Sequence, residues 1–184
     1  MLNKEDFRIG HMLRRIVVPT DFSPNSEASI PYAVELAKVF GSEFILIHAF
    51  QAPDYPMVEP GGEVMMEWPR WNESLRKQQQ EKLDALAKEI SDKARIAVTS
   101  FLVEGAAANA IVNFAQEKKA DCIVITTHGR TGVSHLVFGS VAERIVRLAP
   151  CPVFTVKLAK DVQAKQMGTP EFSISAPQVC CGPR

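Results

Sequence analysis

The chain has 184 residues, 46% hydrophobic and 23% charged, enough for one substantial core and a single domain rather than two. Its 21 basic and 21 acidic side chains cancel, which excludes a general attraction to nucleic acid or to an anionic membrane, so any anion site must be local. No run reaches about 18 apolar residues and the start lacks a basic-then-apolar secretion pattern, so a cytoplasmic protein is expected. The four cysteines, Cys122, Cys151, Cys180 and Cys181, lack zinc-ligand spacing and are expected to be reduced, the first two as small core hydrophobes.

Residues 1–12 are mixed and polar and read as an N-terminal extension to a domain at 13–160. Arg15-Ile16-Val17-Val18 is a β-branched run closed by Pro19, Thr20 and Asp21, which predicts a buried strand. Ser23 as N-cap and Pro24 at the first helical position open a helix whose stripe, Ile30, Ala33, Val34, Ala37 and Phe40, ends at Gly41. Phe44 to Phe50 reads as the second strand. Residues 51–71 are expected to form a loop insertion, because Pro53, Pro56, Pro60, Gly61, Gly62 and Pro69 exclude regular structure. Its apolar residues suit either a flap over a site or a patch on the core. Leu75, Gln79, Leu83, Leu86 and Ile90 then mark a long amphipathic helix with a solvated charged face.

Ile96 to Val103 reads as the third strand, Gly105 as a turn, and Ile111, Phe114 and Ala115 as the buried stripe of another helix. Asp121 to Thr126 is the fourth strand and Val153 to Val156, entered through Pro150 and Pro152, the fifth. Residues 161–184 have no periodicity and read as a mobile tail, with Cys180-Cys181 solvated rather than metal-binding. Strands alternating with amphipathic helices predict an α/β fold, a parallel doubly wound sheet with helices on both faces.

Between the fourth strand and the last helix lies Thr126-Thr127-His128-Gly129-Arg130-Thr131-Gly132, followed by residues 133–138 and Gly139-Ser140. A strand feeding a glycine-bearing loop and then a helix can bind phosphate: glycines admit backbone N–H groups to an anion, and a helix N-terminus offers unpaired donors. Ser140-Val141-Ala142-Glu143 also reads as a capping box, which would need no ligand.

Gly129, nine residues and then Gly139-Ser140 resemble the nucleotide-binding signature of the universal stress protein family, with Thr126 where the signature has its first glycine. The resemblance runs from about Leu13 to Lys157 and includes Val18-Pro19-Thr20-Asp21-Phe22-Ser23 and Pro150-Cys151-Pro152-Val153. It implies a Rossmann-like five-stranded sheet in the order 3-2-1-4-5, with a crevice at the carboxyl ends of strands 1 and 4. It implies an adenine nucleotide there, ATP with or without Mg2+, bound by Pro19, Thr20, Asp21, Ala49, Thr126, His128, Gly129, Arg130, Gly132, Gly139, Ser140 and Val141. Thr126 is expected to narrow the phosphate path and weaken affinity rather than abolish it. A homodimer is implied through Val153, Phe154, Thr155 and Val156, an apolar edge that would be a self-pairing hazard if bare.

Individual residues keep second readings. Asp21 suits a ribose or base, or a turn before the first helix. Arg130 suits a polyphosphate or is a solvent-facing loop cation. His48 reads as a core histidine. His128 and His135 sit seven apart without a third ligand, so no metal site is expected. The sequence shows no carboxylate pair, Ser-His-Asp set or positioned base. The leading reading is therefore a nucleotide-dependent stress sensor or switch with unknown protein partners. The alternatives are an interaction protein that has lost nucleotide, and a slow ATPase or phosphotransferase.

Overall fold

The computed structural model describes residues 13–51, 68–127 and 139–157. Five strands form one parallel sheet: β1 (Arg15–Pro19), β2 (Glu43–Phe50), β3 (Val98–Glu104), β4 (Cys122–Thr126) and β5 (Val153–Val156). Its order is β3-β2-β1-β4-β5, as the resemblance implies. The helices are α1 (Pro24–Glu27), α2 (Ile30–Phe40), α3 (Trp68–Ala94), α4 (Ala107–Glu117) and α5 (Ser140–Leu148).

The two-residue period of the strands divides the core. Ile16, Val18, Phe44, Leu46 and Val124 pack with Ala33 and Ala37 of α2 and with Leu83, Ala87 and Ile90 of α3. Val17, Ile45, Ile47, Ile123 and Ile125 pack with Ile111, Phe114 and Ala115 of α4 and with Ala142 and Ile145 of α5 on the other face. β1 is apolar on both faces because it is covered on both, and each fully buried Ile or Phe contributes roughly 1.5–3 kcal/mol. Winding reverses between β1 and β4, whose register pairs Ile16 with Cys122 and Val17 with Ile123. At the amino end of that seam the Asp121 carboxylate accepts the backbone N–H groups of Arg14 and Arg15 at 2.9 and 2.8 Å.

Three expectations are corrected. The first helix is two: Ser23 caps α1, accepting the Ser26 N–H, but α1 stops at Glu27 and α2 starts at Ile30. Pro31 explains the break, since it has no N–H to offer the Glu27 carbonyl and its ring would strike that carbonyl in a continuous helix. The loop expected at 51–71 ends earlier, because α3 begins at Trp68; a proline is tolerated in a first turn, so Pro69 does not exclude helix. The third concerns Ser140, which is not the N-cap of α5; Gly139 is. Residues 1–12, 52–67 and 158–184 lie outside the described residues, so the extension, the flap or patch and the tail remain expectations.

Candidate functional site

Beyond Pro19, β1 turns away from β2, while β2 continues to Phe50. Thr20 N–H still donates to Ile47 O at 2.8 Å. Backbone groups alternate along a strand, so Ala49, two residues on, turns its N–H and C=O to the same side, where β1 is no longer present to pair with them. A cavity of about 260 Å³ opens there. Its lining includes Pro19, Thr20, Asp21 and Ser26 from the β1 end, His48 and Ala49 from β2, Ile125 and Thr126 from β4, and Gly139, Ser140 and Val141 from the start of α5. Ala107, Ile111 and Ala142 complete an apolar wall.

Hydroxyl groups fix the β1 end of the cavity. Ser26 Oγ donates to Ser23 O at 2.9 Å and accepts the Asp21 N–H at 3.2 Å. Its proton being committed, the 3.2 Å pair with Thr20 Oγ1 has Thr20 as donor. Asp21 Oδ1 accepts the N–H and the hydroxyl of Ser23 at 3.0 and 2.6 Å, so the turn reading of Asp21 holds while the residue also borders the cavity. The Thr20 carbonyl accepts from His48 Nδ1 at 2.7 Å, which fixes the proton on that nitrogen. His48 is buried and its ring lies 4.4 Å from that of Phe22.

On the facing side, Gly139 N–H donates to Thr127 O at 2.7 Å and holds the start of α5 against the end of β4. The N-cap is Gly139, not Ser140, and it has no side chain to accept a capping bond. This overturns the capping-box reading: Ser140 is the first helical residue, one place too late to cap. The first helical bond runs from Glu143 N–H to Gly139 O at 2.9 Å, so the N–H groups of Ser140, Val141 and Ala142 precede any intrahelical acceptor. All three residues border the cavity, and the positive end of the α5 dipole points at it. Asp21 is the one formally charged side chain among the described lining residues.

The sequence profile of the universal stress protein family matches residues 12–157. The chain belongs to this family. A universal stress protein of Methanocaldococcus jannaschii is 35% identical over 150 residues, which cover 82% of this chain and 85% of that one. Among solved structures of lower identity, a universal stress protein in complex with cAMP is 22% identical, with a TM-score of 0.57 over 78% of this chain and 96% of that one. A universal stress protein of Archaeoglobus fulgidus in complex with dAMP is 23% identical, with a TM-score of 0.51 over 78% and 96% of the two chains.

Of the residues that the universal stress protein resemblance marks, Pro19, Thr20, Asp21, Ala49, Thr126, Gly139, Ser140 and Val141 converge on this one cavity. His128, Gly129, Arg130 and Gly132 lie outside the described residues. Ser26, Ile111, Ile125, Ala107 and Ala142 line the cavity without having been singled out as site residues. Ser26 carried a signal, since Thr20, Ser23 and Ser26 repeat a hydroxyl every third residue through the turn. The apolar members carried none, because a cavity wall and a core stripe have the same composition. Among the described residues no three His, Cys, Asp or Glu side chains are grouped to hold a metal.

Proposed function

We propose that this universal stress protein binds an adenine nucleotide in the β1/β4 crevice and uses occupancy of the site to change the surface it offers to protein partners. The observation that carries the reading is the convergence of one carboxylate, the backbone edge of β2 beyond its pairing with β1, and one helix N-terminus on a single cavity. These match the three parts of a nucleotide. The backbone of Ala49 offers a donor and an acceptor to the edge of the base, Asp21 an acceptor to ribose or base, and Ser140, Val141 and Ala142 their N–H groups to phosphate. The relatives solved with cAMP and dAMP support the adenine class. ATP, with Mg2+ as its ordinary counter-ion, is the proposed physiological ligand, and the roles of His128, Gly129, Arg130 and Gly132 toward its phosphates rest on the sequence signature. The apolar edge of β5, with Phe154 exposed, supports a homodimer through Val153 to Val156.

The test is a substitution at Ser140. Its side chain is exposed and caps nothing, so Ser140→Asp should fold as well as the parent, and a carboxylate in a first helical turn stabilises by roughly 0.3–1 kcal/mol. That same charge faces the proposed phosphates. ATP affinity, measured by calorimetry, should fall at least about tenfold, or 1.4 kcal/mol, while adenosine affinity changes little. Equal ATP affinity in parent and variant would move the phosphates elsewhere, and an absence of binding to the parent would favour the interaction-protein alternative.

A further inference from the structure

We propose that Phe22, in contact with the His48 ring and the Lys82 ammonium, is a positioning residue that sets the Asp21 carboxylate at the edge of the cavity. The inference rests on the adenine-nucleotide reading. Phe22 has φ 60°, left-handed backbone that an aromatic residue disfavours. Such a conformation persists where its surroundings over-determine it, and three contacts do so here. The ring lies 4.4 Å from that of His48. The Lys82 ammonium stands 4.4 Å from the ring centroid. The Phe22 N–H donates to Thr20 Oγ1 at 2.9 Å.

The reversal at Phe22 brings Ser23 back under Asp21, which lets Oδ1 accept both the N–H and the hydroxyl of Ser23. His48 is tied to the Thr20 carbonyl, so ring and backbone are referenced to the same residue. Neither Phe22 nor Lys82 lines the cavity; their path to it runs through Asp21 and His48. Lys82 comes from α3, and its charge also faces the Glu27 carboxylate. Through these contacts the long helix α3 bears on a cavity that none of its described residues lines.

A double-mutant cycle tests this, using whichever of ATP, AMP or cyclic AMP binds the parent most tightly. Asp21→Asn keeps an oxygen acceptor for Ser23 and removes the charge. In the parent it should weaken binding about tenfold. In a Phe22→Gly background, where ring and strain are both gone, the same change should cost less than about twofold, because the carboxylate is already displaced. Lys82→Met, on an exposed helix face, should shrink the Asp21→Asn penalty in the same direction and keeps the test open should Phe22→Gly unfold. Phe22→Tyr and Lys82→Arg, which preserve these contacts, should restore the full penalty. Additive penalties in both backgrounds would overturn the positioning role, as would an Asp21→Asn change without effect in a parent that binds. A parent that binds none of the three nucleotides would sink the nucleotide reading, and this inference with it.

Discussion

Glu27 ends α1 half-buried, within the electrostatic reach of Glu89 and Asp21. Burial is the first cause that raises its carboxyl above the ordinary value of 4.5, Glu89 the second; Lys82 opposes them and Asp21 adds to them. The folded chain therefore holds a proton at Glu27 that the unfolded chain releases, over the pH window above 4.5. In that window stability declines as pH rises: the contribution of Glu27 is complete below its ordinary value and is lost as pH rises through the raised one. Glu27→Gln removes the titration. It should raise the melting temperature at pH 7 by clearly more than at pH 4, and an equal change at both would mean that the charged form is not strained. The two described thiols behave differently, since neither is charged near neutral pH. Burial pushes Cys151 up to about 11 and also raises Cys122. The neighbouring Cys122 thiol adds to the rise at Cys151, and both cysteines are free thiols.

At the scale of elements, α2 closes on Gly41 at φ 65°, ψ 35°, a left-handed cap whose N–H returns to Ala37 O. A Cβ added there would meet nothing within 4 Å, so Gly41→Ala carries only the backbone penalty, about 1 kcal/mol. For a domain of this size the melting temperature should drop by roughly 2–4 °C, with Gly41→Asn recovering part of the loss. A drop well beyond this would reveal a packing role for the turn. The strands and Gly41 were legible in the sequence because each is a local signal: a β-branched run, or a residue with one use. What escaped depended on an offset or on a partner. Pro31 breaks a helix four residues upstream of itself, at the Glu27 carbonyl, where the apolar stripe gives no warning. Pro69 looks the same whether it prevents a helix or opens one. Ser140 and Glu143 keep capping-box spacing, yet Gly139 takes the cap because its N–H is held by Thr127 across the loop. For the site, Asp21 and Ala49 were legible through family pattern and Ser26 through the three-residue spacing of hydroxyls, whereas His48 and Phe22 act through contacts that no spacing encodes.

Considered whole, the sheet has two ends of unequal character. At β5, Phe154 is 44% exposed, and Val141, Val146 and Leu148 of α5 are 39%, 45% and 46% exposed. An apolar edge of that kind suits a second copy of the chain. If the parent sediments as the proposed dimer, Phe154→Lys should shift the sedimentation coefficient toward monomer without lowering the melting temperature of dilute protein; an unchanged coefficient would place the interface elsewhere, and a monomeric parent would remove the proposal. The opposite border, β3, ends at Glu104, whose carboxylate meets Arg76 of α3 at 3.0 Å.

The Asp121 clamp at the centre of the sheet bears on how the protein is made. It joins Arg15 to a residue 106 positions later, and β4 follows at once. At synthesis rates of roughly 5–20 residues per second, the apolar flank of β1 waits on the order of ten seconds for its neighbour to leave the ribosome. Through that interval β1 can pair only with β2, and its other margin of Ile16, Val17 and Val18 stands open to any strand nearby. The nascent first half is therefore the species most exposed to aggregation and to chaperone capture, and release from the chaperone should coincide with the emergence of residues 121–126.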